Sequence, residues 1–207
     1  VWWSIRTCLL RLLLALIAIA ASAALFRFGV LALIELWLTP ESVVIAAVRP
    51  PGTIVSALLG YWLFVRYFER RAATELAFRP LAMAVAASSG ALLILVTILI
   101  LFATGYYELQ YYRGFAGVPR VLGYICIAAI FEELLFRVVL FRLLEQHMGT
   151  VWALSIQSLI FGALHQFNPE ITGMTALSVT LLGACWAMVF IYSRNLWVVS
   201  CNHAAWN

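Results

Sequence analysis

The sequence contains no lysine and no aspartate: its 13 basic side chains are all arginine and its nine acidic ones all glutamate. Charge of either sign is scarce, at 11% of 207 residues against 65% apolar, and the mean hydropathy is +1.02. A chain so poor in charge is not a nucleic-acid binder; its arginines are scattered among loops, so the +4 balance forms no basic stripe. Cysteine is rare as well. Cys8, Cys126, Cys185 and Cys201 all sit in apolar segments without a Cys-x-x-Cys pair, which reads as small side chains in helix packing. Cys201 stands two residues before His203, but one Cys-x-His without a second ligand pair is no metal site. The zinc motif His-Glu-x-x-His is absent too. Arginine without lysine suggests GC-rich coding and hence a bacterial source.

What is present is a series of long apolar runs, several exceeding the ~18 residues that mark a membrane-spanning helix. The pattern predicts an all-α, polytopic transmembrane bundle of about seven segments, near residues 12–38, 53–67, 81–103, 121–144, 151–166, 174–193 and from 196 onward. Trp2, Trp3, Arg6 and Arg11 read as an interfacial anchor. Ala21-Ser22-Ala23 resembles a signal-peptide cleavage site, but the apolar run continues past Arg27, which fits a spanning helix better. The chain starts with Val rather than Met, so residues are expected before it. Thr39-Pro40-Glu41-Ser42 reads as a break and restart, residues 43–48 as an interfacial piece, and Arg49-Pro50-Pro51-Gly52 as a turn. The tyrosines from Tyr106 to Tyr112 belong to an aromatic interfacial belt, and Gly149 is a C-cap. Phe167-Asn168-Pro169 closes the fifth segment, and the last is expected to be cut short: 12 residues of helix reach only about 18 Å. Residues 1–118 are read as N-terminal transmembrane helices and 119–207 as the catalytic helices of one continuous bundle. A cytoplasmic N-terminus puts Arg6, Arg11, Arg66, Arg70, Arg71, Arg79, Arg142 and Arg194 inside, and only Arg49, Arg113 and Arg120 outside.

The costly feature is Glu132-Glu133 with Arg137 inside the fourth apolar run. One ionised side chain at mid-membrane costs roughly 2.5–3.5 kcal/mol, so three together need a reason. Glu133 and Arg137 are i and i+4 with the acid first, the favourable order for a helical ion pair. Glu132 then points about 100° away, without a partner in its own segment. Two later runs carry the other unusual groups. Phe161 and His165 share a helical face, and so do His203 and Asn207. Taken singly, each spacing is as often packing as chemistry: a histidine in a spanning helix is often an interhelical hydrogen-bonder, and Glu133–Arg137 can be structural glue.

The ordered set Glu132-Glu133-x-x-x-Arg137, Phe161-x-x-x-His165, His203-x-x-x-Asn207 resembles the three-motif signature of the CPBP family, the CAAX proteases and bacteriocin-processing enzymes also called Abi. The resemblance covers residues from about Leu122 to Asn207. It implies a polytopic intramembrane endopeptidase, similar to the type II CAAX prenyl endopeptidases, acting on a peptide or membrane-protein segment with or without a lipid. It also implies residence in a bilayer, which with the arginine bias is expected to be a bacterial inner membrane.

Under that resemblance Glu132 is the base that activates water and His165 shares the water. His203 and Asn207 donate to the oxyanion, with Glu133, Arg137 and Phe161 in support. No cofactor is expected. The rival chemistry is zinc held by Glu132, His165 and His203, a His₂-carboxylate set with an open position. Asn207, a poor zinc ligand and a good oxyanion donor, favours the metal-free scheme. Two non-hydrolytic readings stand beside it: a membrane partner in bacteriocin immunity or scaffolding, and a proton-coupled carrier using Glu132 as relay.

Overall fold

The computed structural model describes residues 5–39, 42–110, 114–115, 117–166 and 172–207. Trp2, Trp3, Pro40, Glu41, Tyr111, Tyr112, Arg113 and Phe167-Asn168-Pro169 therefore lie outside the described residues. All regular structure among those described is helical. The helices are α1 (Ile5–Glu35), α2 (Val43–Phe68), α3 (Pro80–Ala103), α4 (118–148), α5 (Thr150–His165), α6 (Gly173–Ser193) and α7 (Leu196–Trp206). Wide π-turns interrupt α1 at Leu25–Val30, end α2 at Phe64–Phe68 and occupy Leu134–Phe141 of α4.

Among the described residues four helices, α1, α2, α3 and α6, are long and apolar enough to cross a membrane. The chain is an integral membrane protein, but about seven spans is not the count the helices give. α4 is long enough, yet Glu132, Glu133, Arg137 and Arg142 interrupt its apolar character; α5 is apolar but short, and α7 has 11 residues. α3 shows what solvent the surface is built for. It carries no charge, and only Ala86 and Gly90 are buried, so a row of leucines and isoleucines faces outward. In lipid such a face needs no cover.

The proline pair corrects a second expectation. Residues 43–48 are no separate interfacial piece and Arg49-Pro50-Pro51-Gly52 no turn: all lie within one helix, capped by the Ser42 hydroxyl, which accepts from the Ile45 amide at 3.2 Å. Membrane helices tolerate internal prolines where neighbours can serve the freed carbonyls. Gly149 ends α4 at φ 82°, as its composition suggested.

α4 is the central element, touching α1, α2, α5, α6 and α7. α7 is seated by α3, and Gly90 lets the two backbones meet: a Cβ there would collide with the Asn202 carbonyl. The start of α7 is fixed independently. Asn195 caps it, accepting from the Val198 amide at 3.1 Å while its own amide donates to the Ala77 carbonyl at 2.6 Å. Trp197 adds an indole bond to the Leu76 carbonyl at 2.9 Å.

A polar knot ties the same end of the bundle. The Glu69 carboxylate takes Arg11 from α1, Arg71 at 2.8 Å and Arg142 of α4 at 3.0 Å. Arg71 also donates to Glu75 at 2.7 and 2.9 Å, and Tyr61 donates its hydroxyl to the same carboxylate. Burial alone would raise the Glu75 carboxyl, but the bonds from Arg71 and Tyr61 outweigh it and hold the group below its ordinary value. A depressed native carboxyl contributes stability above its unfolded pKa of about 4.3, and that contribution is lost as pH falls through the lower native value. Glu75→Ala is expected to cost about 1–3 kcal/mol at neutral pH. Thermal melts of the detergent-solubilised proteins should show the gap to wild type narrowing below about pH 4.

Candidate active site

Glu132 and Glu133 close the first, α-helical part of α4, and Arg137 stands one turn on, inside its π-turn. Glu133 and Arg137 are completely buried and paired at 3.0 Å, the i,i+4 contact the spacing predicts. Such pairs survive in a low-dielectric interior only when other groups complete them. Arg137 finds these on α5 and α6. It donates to the Gly183 carbonyl at 3.0 Å, and its guanidinium lies 4.6 Å from the Phe161 ring centre and 5.7 Å from that of Trp186. Gly183 makes room: a Cβ there would come within 2.9 Å of the Phe161 ring.

Glu133 has a second partner that its own helix does not reveal. Its Oε1 is 2.7 Å from Nδ1 of His203 on α7. A carboxylate accepts, so Nδ1 carries a proton and the imidazole is held by its inner nitrogen. The other nitrogen, Nε2, is turned to Glu132, 3.9 Å from Oε2. His203 is only 2% exposed, whereas the Glu132 side chain is 31% exposed and opens the group to the outside. The two carboxylates thus have different work: Glu133 is locked between a cation and an imidazole, and Glu132 stands at the open side.

The imidazole plane is set by a residue the motifs do not contain. Trp186 of α6 stacks on His203 with ring centres 3.6 Å apart and planes 22° from parallel. Its other neighbour is Phe161, edge-on at 6.0 Å. Nothing in the sequence distinguishes Trp186 from seven other tryptophans in an apolar chain; only the crossing of α6 over α4 and α7 gives it this place.

His165 ends α5. Its Nδ1 lies 2.8 Å from the Phe161 carbonyl, which can only accept, so Nδ1 carries the proton and Nε2 presents a lone pair. The ring rests on Phe161, with centres 4.4 Å apart, and reaches the rest of the cluster through Phe161 and Trp186. Asn207 follows α7; its backbone amide donates to the His203 carbonyl at 3.2 Å and the residue is exposed. The structure therefore joins Glu132, Glu133, Arg137, Phe161 and His203 around Trp186, brings His165 to their edge, and leaves the Asn207 side chain outside the contacts. Among the described residues no three His, Cys or Glu side chains are grouped to hold a metal ion. The triad Glu132, His165 and His203 is not gathered as a donor set here.

No curated protein and no solved structure matches the chain. A family model does, over the part that carries the cluster. Residues 114–207, the stretch that contains the three helices bearing Glu132, His165 and His203, match the family model Type II CAAX prenyl endopeptidase Rce1-like.

Proposed function

We propose that this protein is an intramembrane endopeptidase in which Glu132 activates a water molecule against a peptide carbonyl. The observation that carries the reading is the pairing of Glu133 with Nδ1 of His203, which leaves Nε2 facing Glu132 at 3.9 Å. Two atoms at that separation can both bond a third at about 2.8 Å, the length of an ordinary hydrogen bond. A water there gives a proton to Glu132 as its oxygen attacks. His165, whose Nε2 lone pair stands at the edge of the cluster, is the candidate to accept from that water and orient it. In this scheme His203 enters the step already protonated on both nitrogens, with the negative Glu133 against Nδ1, so that its Nε2–H and Asn207 donate to the oxyanion as the tetrahedral intermediate forms. The proton on Glu132 then passes to the leaving amine.

The substrate class that fits is a peptide or membrane-protein segment, with or without a lipid, reaching Glu132 from its open side. The distribution of arginine supports a cytoplasmic N-terminus, and the composition supports a bacterial inner membrane. A zinc scheme would draw on Glu132, His165 and His203; since these are not grouped to hold an ion as folded here, no step above passes through a metal.

The test is cleavage of lipidated and unlipidated peptides by purified protein in detergent, with and without exhaustive chelation. Turnover is expected to survive the chelator. Loss on chelation with recovery on adding zinc would overturn the metal-free scheme. Failure of the wild type on every peptide would favour a non-catalytic membrane partner.

A further inference from the structure

α2 and α4 run side by side from the same end of the bundle and diverge toward it. Where they are close, Ile54 and Leu58 of α2 meet Phe131 and Leu134 of α4, leaving no room for water. Toward the end at which both helices begin, the seam opens into a cavity of about 540 Å³. One wall is Ala46, Ala47, Pro50 and Pro51; the other includes Arg120 and Tyr124.

The α2 wall is chemically unusual. In a helix the carbonyl of residue i accepts from the amide of i+4. For Ala46 and Ala47 those residues are Pro50 and Pro51, which have no N–H to give. Two adjacent carbonyls are left without their helical donors, and in a membrane such groups must be served from elsewhere. The α2 hydroxyls of Thr53 and Ser56 are committed elsewhere, donating to the Arg49 and Gly52 carbonyls at 2.7 Å each. The facing wall is the complement: Arg120 has no carboxylate partner among the described residues, its guanidinium lies 5.8 Å from the Tyr124 ring centre, and Tyr124 adds a hydroxyl. Acceptors on one side and a cation and a hydroxyl on the other match a lipid whose headgroup holds both an anion and an N–H donor.

We propose that this cavity binds a phospholipid with a primary-ammonium headgroup. The phosphodiester accepts from Arg120 and the Tyr124 hydroxyl, the ammonium donates to the Ala46 and Ala47 carbonyls, and the acyl chains leave by the cavity's open side into the bilayer. A quaternary choline headgroup has no N–H for the carbonyls. A glycerol headgroup offers hydroxyls without the positive charge. The site is independent of the peptidase reading, since neither Arg120 nor the prolines take part in it.

Native mass spectrometry of the delipidated full chain, offered phosphatidylethanolamine, phosphatidylglycerol and phosphatidylcholine of one acyl composition, tests it. Phosphatidylethanolamine is expected to be retained over phosphatidylcholine by at least about tenfold, the worth of one hydrogen bond to a charged group. Arg120→Gln should weaken both lipids alike. The double variant Pro50→Ala, Pro51→Ala returns amides to the helix, so it should abolish the preference while leaving phosphatidylcholine retention unchanged. Equal retention of the two lipids by wild type, stronger retention of phosphatidylglycerol, or a preference that survives the double alanine variant would each overturn the proposal.

Discussion

Glu132→Gln is expected to lower peptide cleavage by about 10²–10⁴, the range for removing a general base, while leaving the fold intact. The asymmetry follows from where the two carboxylates sit. The Glu132 side chain is 31% exposed, and it stands 3.9 Å from His203 Nε2, beyond hydrogen-bond length. A glutamine in its place keeps the size and loses the negative charge and, with it, the capacity to take a proton. Thermal melts should therefore superpose within about 0.5 kcal/mol, as for other substitutions that leave no buried group unpaired. His203→Ala should lose about 10²–10³ by removing an oxyanion donor. A Glu132→Gln protein that cuts at the wild-type rate would move the base elsewhere and end the scheme.

The sequence carried the buried polar pairing farther than it carried the membrane topology, for a physical reason. Charges in apolar helices are expensive, so Glu132, Glu133 and Arg137 stand out from their neighbours, and the i,i+4 rule correctly pairs Glu133 with Arg137. Their partners on other helices are set by crossings that no local spacing encodes. Glu133 also binds His203, 70 residues away, and Trp186 stacks on that imidazole, from an apolar helix in which a tryptophan is unremarkable on sequence alone. The helix boundaries failed where local propensity met the bilayer. Pro50 and Pro51 read as a turn in water, yet the helix runs through them because a membrane helix retains its remaining bonds. About seven spans is not the count that composition supports: among the described residues, the charges that make α4 stand out also remove it from the helices apolar enough to cross on composition alone.

Glu133→Ala should damage the protein in a different way. It strips a fully buried guanidinium of its carboxylate, leaving Arg137 with the Gly183 carbonyl and the faces of Phe161, Trp186 and Phe136. Removing one partner of a buried pair typically costs about 3–5 kcal/mol, because the remaining charge stays in a low dielectric. The variant is expected to melt far below wild type in detergent, or to fail to accumulate. Its activity should also fall, since His203 loses the bond that turns Nε2 toward Glu132, but the single variant cannot separate the two effects. Glu133→Gln combined with Arg137→Met can. Glutamine retains an acceptor for Nδ1 of His203, and methionine removes the buried cation while filling its space. Replacing a buried ion pair with well-packed groups is often neutral in stability, so the double variant should recover most of the lost melting temperature. Cleavage should not recover with it, because an amide cannot hold an imidazolium as a carboxylate does. Return of full activity together with stability would reduce Glu133 and Arg137 to structural glue, with no part in positioning His203.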